Sequence, residues 1–210
     1  MNITKATEQY ILQHPSIKDC LRKGMINYSA LTRKITEDLD MDIKKNFDAI
    51  LIACRRFYRK LKKEQVMDNK IIEILKKSKL EVKNKILVAV IEKDVYFSLI
   101  LDLQKIIKNQ SGAFHVIQGS TTITLITADE FEDQIKKLFK GKIVKLSKDL
   151  AEVNLKSTGD LEKTPGVMAY LTSLLAENGV NIVETMSTWT DTLFVISEED
   201  IAKVMGLLKF

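Results

Sequence analysis

From residue 4 to residue 63 the apolar positions recur at helical spacing and no strand-like alternation persists. The pattern predicts a helix over 4–13, ended by His14–Pro15 because proline disfavours a helical residue before it. A short helix follows over 17–23, capped by Ser16 and stopped at Gly24, and Ser29 opens a third with Leu31, Ile35 and Leu39 on one side. In the last of the set, Phe47, Ile50, Leu51, Cys54, Phe57 and Leu61 make one stripe of 3.6-residue period that faces a core. A connecting helix over 67–79 turns Ile71, Ile72 and Leu75 inward.

After residue 84 the pattern changes. "KILVAVIEK" (85–93) is short and rich in β-branched residues, which predicts a buried strand. Residues 94–109 return to helical period, with Leu99, Leu103, Ile106 and Ile107 inward; "AFHVIQG" and "TTITLIT" then make a strand pair. "ADEFEDQIKKLFK" is a helix, with Thr127 and Glu130 spaced as a capping box, and 142–147 is another strand. The order then starts again: a strand over 150–157, a helix over 165–178, two strands ("VNIVETMS" and "TLFVIS") and a last helix. Ser197-x-x-Asp200 stands where Thr127-x-x-Glu130 stood 70 residues earlier, so the second part is an internal duplicate of the first.

These elements predict an α+β chain: an all-helical, helix-turn-helix-like region over 1–66, a connecting segment over 67–84, and two ferredoxin-like βαββαβ units over 85–148 and 149–210. The second unit ends at Phe210 without a closing strand, so its sheet edge must be covered by another segment or another subunit.

Composition sharpens the division. Residues 1–84 hold 19 Lys and Arg against 11 Asp and Glu, while residues 85–210 hold 14 against 17, so the two parts meet different partners. The positive excess is concentrated on the side of the last N-terminal helix opposite its apolar stripe. Arg55, Arg56, Arg59, Lys60 and Lys63 are there, as on a recognition helix that meets DNA or RNA. An ordinary solvated face explains the same charges. Cys20 and Cys54, 34 positions apart, fit reduced thiols better than a disulfide or a zinc site. No signal peptide and no run of roughly 20 apolar residues is present, from which a cytoplasmic protein without membrane contact is expected. No nucleophile–base arrangement, phosphate-binding glycine loop or metal-ligand cluster stands out, so neither an enzyme nor a cofactor is expected.

The stretch "KTPGVMAYL", followed by "GVNI", carries the candidate site. Thr164 suits an N-cap and Pro165 a first helical residue, which would leave the amides of Gly166, Val167 and Met168 free at the helix start to hold a carboxylate. With the Gly159 loop and the Met-Ser-Thr stretch before "FVISEED", residues 150–210 resemble the ACT domain, especially the tandem ACT regulatory region of aspartate kinases, here without a kinase domain. The resemblance implies a small-molecule effector, an amino acid, held by Asp160, Lys163, Thr164, Pro165, Gly166, Val167, Met168, Asn181 and Ile182. It also implies a homodimer formed through the ACT-like units, acting as a transcriptional regulator of amino-acid metabolism or as a subunit that docks a biosynthetic enzyme. Lys163 departs from the polar or acidic residue such kinases often carry there.

Overall fold

The computed structural model describes residues 2–62, 66–109 and 113–209, without the side chains of residues 66–69. It divides into two compact units, Met1–Lys70 and Ile71–Phe210. The first contains α1 (Ile3–Gln13), α2 (Pro15–Arg22), α3 (Tyr28–Asp38) and α4 (Ile43–Leu61). Asn2, Asn27 and Asp42 start α1, α3 and α4, each accepting a hydrogen bond from an amide of the first turn. Ser29 therefore does not cap α3: Asn27, two residues earlier, holds the extended backbone a cap needs. Ser16 likewise lies inside α2, which Pro15 opens without a side-chain cap. Ile11, Leu21, Ile35, Ile50, Cys54 and Leu61 form the centre of the core, and burial pushes the Cys54 thiol up to about 11, keeping it neutral.

The second unit starts with the end of α5 (Val66–Lys76) and continues with β1 (Lys79–Glu92), α6 (Phe97–Asn109), β2 (Phe114–Gln118), β3 (Thr122–Ala128), α7 (Glu132–Leu138) and β4 (Ile143–Lys156). It ends with α8 (Asp160–Lys163), α9 (Val167–Glu177), β5 (Glu184–Ser187), β6 (Asp191–Ser197) and α10 (Ile201–Leu207). All six strands form one antiparallel sheet in the order β2-β3-β1-β4-β6-β5. β1 and β4, 14 residues each, are longer than expected, and each serves both βαββαβ halves. Ile86–Glu92 pairs with β3 in the first half, while Lys79–Lys83 pairs only with the end of β4 and closes the second half. The edge that the sequence left open is thus covered by a segment of the same chain, inside the stretch expected to connect.

Where the two roles of each strand meet, Lys85 and Asp149 adopt positive φ of 54° and 55°, and the register slips on both strands. Each slip inserts one residue and reverses the alternation of sides. Leu80 and Val82 therefore face the same side as Leu87, Ala89 and Ile91, although the numbering alternates the other way. One consequence is that the described helices of this unit cover a single side of the sheet. α5, α9 and α10 bury Ala151, Val153 and Leu155; α6 and α7 bury Leu87, Ala89 and Ile91. β3 and β6 are each followed by a three-residue 3₁₀ turn and a seven-residue helix, which is the duplication seen in the sequence. Neither predicted capping box forms: the Thr127 hydroxyl donates to the Ala113 carbonyl across to β2 at 2.7 Å, and Ser197 makes no cap bond.

The side without described helices of this unit carries its own cluster of Ile86, Val88, Ile126, Leu150, Leu193 and Val195, shielded by curling of the sheet. The curl is visible in one contact. Three strand spacings, about 14 Å in a flat sheet, separate β2 from β4, yet His115 Nε2 lies 3.0 Å from Glu152 Oε2. Lys83 Nζ donates to the other oxygen of Glu152 at 3.0 Å. Glu152 is 1% exposed; burial raises its pKa, but the bonds from His115 and Lys83 outweigh that and hold the carboxyl below its usual range. A folded-state pKa below that of the unfolded chain, about 4.3, stabilises the fold above that pH and ceases to do so as pH falls through the folded value. In urea unfolding between pH 5 and pH 3, the advantage of the wild type over Glu152→Gln should therefore be about 2 kcal/mol at the upper end and shrink on acidification. A difference that does not change with pH would contradict the clasp.

Candidate functional site

The two halves differ most where the first strand hands over to its helix. Between β1 and α6 lie four residues, 93–96; between β4 and α9 lie ten, 157–166, including the short α8. Those extra residues build a hollow at the start of α9. Thr164 ends α8 in extended conformation and is buried, its hydroxyl donating to the Asp160 carbonyl at 2.9 Å. Pro165 and Gly166 then turn the chain, with Gly166 at φ +93° and ψ −9°, the arrangement of a type II turn with proline second and glycine third.

This corrects the expected helix start. Thr164 does not cap α9 and Pro165 is not its first residue; α9 begins at Val167, with Gly166 at the cap position and no side-chain cap. The first backbone bond of the helix runs from the Tyr170 amide to the Gly166 carbonyl at 2.8 Å. The amides of Val167, Met168 and Ala169 are left without intrahelical partners. Gly166 is needed first by the turn: a Cβ there would strain the left-handed backbone by about 1–2 kcal/mol and stand 3.3 Å from Ile71 Cδ1.

The hollow encloses about 520 Å³. Leu161 and Glu162 of α8, Thr164 and Gly166 of the turn, and Val167 and Met168 of α9 line one wall. Ser187, Thr188 and Trp189 of the β5–β6 hairpin line the other. The hairpin is tied down at its base: the Thr188 amide donates to the Asp191 carbonyl at 2.8 Å, and the Ser157 amide to the Thr190 carbonyl at 2.7 Å. Asn154 Nδ2 and the Thr190 hydroxyl each donate to the Asp191 carboxylate at 2.9 Å, holding that carboxyl below its ordinary range. Trp189 is 70% exposed, and its ring lies against Gly159, where a Cβ would approach Nε1 to 3.2 Å.

Of the residues singled out in the sequence, Thr164, Gly166, Val167 and Met168 come together on one wall. Asp160, Lys163 and Pro165 belong to the same loop but not to the lining. Asn181 is exposed and not part of the lining, and Ile182 packs on the helix-covered core. Leu161, Glu162, Ser187 and Thr188 were not anticipated, and Trp189, which the sequence allowed either to pack on a sheet or a partner or to line a pocket, is part of the lining. The Gly159 loop and the Met-Ser-Thr stretch were the signals that lay nearest to them.

In the helical unit Arg55, Arg56, Arg59 and Lys60 are all exposed on α4, and Lys63 lies outside the described residues. Two of these side chains have local partners. Lys60 Nζ reaches Glu8 of α1 at 2.7 Å, and the Arg55 guanidinium lies 5.9 Å from the centre of the Tyr28 ring. Among the described residues no acidic partner is found for Arg56, Arg59 or Lys62.

Residues 146–209 match the family model of the ACT domain, which covers the second half of the sheet and leaves the helical unit outside. The aspartate kinase of Clostridium acetobutylicum, described as an important allosteric enzyme, is 19% identical with a TM-score of 0.52, over 62% of this chain and 33% of that one. The ligand-free regulatory subunit of aspartate kinase from Thermus thermophilus is 15% identical with a TM-score of 0.49, over 61% of this chain and 92% of that one. Aspartokinase III of E. coli, in complex with lysine and aspartate, is 15% identical with a TM-score of 0.46, over 61% and 31%. The likeness to the Clostridium structure shows a shared fold; this chain spans a third of that kinase's length. No curated protein matches the chain in sequence.

Proposed function

We propose that the chain, an ACT domain over residues 146–209, is a regulatory protein rather than an enzyme, and that it binds a free amino acid in the hollow at the start of α9. The uncapped first turn carries the reading. The amides of Val167 and Met168, with the positive end of the helix dipole behind them, suit a carboxylate. Glu162, on the same wall, suits the ammonium group. Ser187 and Thr188 supply hydroxyls from the opposite side. Asp160 and Lys163 flank this wall and set its local charge rather than touch the ligand. The edge strands β2 and β5 each leave one side unpaired within a single chain, which supports a homodimer joined through the sheet unit.

An effector stabilises whichever state binds it, by about 2.7 kcal/mol at 100 times its dissociation constant. A thermal-shift series over the twenty protein amino acids should therefore raise Tm by several degrees for one chemical group of them. Glu162→Gln should weaken that ligand at least tenfold without changing Tm in its absence. A series in which no amino acid moves Tm would overturn the reading.

For the helical unit, the exposed Arg56, Arg59 and Lys62 on one side of α4 support nucleic acid as the partner, with α4 in the place of a recognition helix. Arg56→Ala together with Arg59→Ala should weaken binding to duplex DNA and reduce the slope of log affinity against log salt by about 2. Absence of any gel shift with genomic DNA or RNA, with and without amino acids, would instead leave docking to a biosynthetic enzyme as the output.

A further inference from the structure

We propose that Trp189 is a specificity-determining residue, and that the effector it selects is a free amino acid with a large, uncharged, apolar side chain. This rests on the amino-acid reading of the hollow and adds the class of side chain. Charge is the first argument. Among the described residues Glu162 is the one charged side chain on the lining, and the α-ammonium group engages it. A ligand with a second charge on its side chain would enter without an opposite charge to meet it, at a desolvation cost. The Thr164 hydroxyl offers no substitute, because it is buried and already donates to the Asp160 carbonyl at 2.9 Å.

Surface is the second argument. Leu161 and Val167 are buried with Met168 packed beside them, so the wall behind the ligand is apolar. Trp189 faces it from the hairpin, with its ring resting on Gly159, where any Cβ would stand 3.2 Å from Nε1. Seventy per cent of Trp189 nevertheless remains exposed, and an aromatic ring of that size gains most by covering apolar area. A side chain laid between Trp189 and Met168 covers both. The volume agrees: about 520 Å³ lies within the range of ligand-sized pockets, and glycine or alanine would leave the space beside the ring unfilled.

Trp189 is the only tryptophan in the chain, so its emission reports directly on the site. The whole chain is titrated with phenylalanine, leucine and methionine, and with lysine, aspartate and glycine, following emission and, independently, calorimetric heat. The apolar three should bind at least tenfold more tightly than the others and shift the emission. By calorimetry Trp189→Ala should weaken them at least tenfold and level the preference, while Trp189→Phe should keep it. Tighter binding of lysine or aspartate would overturn the selectivity and leave the amino-acid reading standing. Apolar ligands that bind Trp189→Ala as well as they bind the wild type would overturn the role of the ring. If none of the amino acids binds, both readings fall.

Discussion

The pairing of β1 with β4 is the constraint on which the rest of the second unit depends. Each strand is 14 residues long, and each closes one half of the sheet while opening the other. A regular antiparallel pair of that length would alternate sides without interruption, and the two helix layers would then fall on opposite sides. The positive φ at Lys85 and Asp149 lets each strand take up one extra residue, and that keeps all the helices on one side. It also leaves the other side without helices of this unit, and the sheet curls until His115 and Lys83 meet Glu152. A buried carboxylate with two donors is the polar counterpart of the apolar cluster that the curl encloses.

The site follows from a departure from that symmetry. Both halves start their first helix after a strand of the same length and nearly the same burial pattern, yet only the second inserts α8 and the Thr164–Pro165–Gly166 turn. The insertion lifts the start of α9 clear of a side-chain cap and sets it opposite the β5–β6 hairpin. In the first half the short connection brings Tyr96 and Phe97 to the surface instead, both largely exposed. Duplication supplied two frames, and loop length gave one of them the hollow.

Much of this was legible in the residues, for identifiable reasons. Period 3.6 along Phe47 to Leu61 is a strong local signal, and the structure buries Ile50, Cys54, Phe57 and Leu61 of that stripe while Phe47 and Leu51 are half-buried. The continuity of β1 was not legible, because "KLEVKN" is polar, half-exposed and closed by a left-handed lysine, which reads as a linker. Its partner residues are also 69 to 77 positions away, and pairing at that distance leaves no mark on a short window. In the candidate site, Thr-Pro-Gly satisfies two descriptions, a capped helix start and a type II turn, and only the φ of Gly166 separates them. Ser187, Thr188 and Trp189 join the wall through the register of β5 on β6 and the tie from Ser157 to Thr190, neither of which a motif records.

The central claim is that the second half, and not its duplicate, is the receptor. Hydrogen–deuterium exchange of the whole chain, with and without an equimolar mixture of the twenty protein amino acids, tests it most directly. The account predicts slowed exchange in peptides covering 157–169 and 187–190, with 93–98 unchanged. Protection at 93–98 without protection at 157–169 would contradict it.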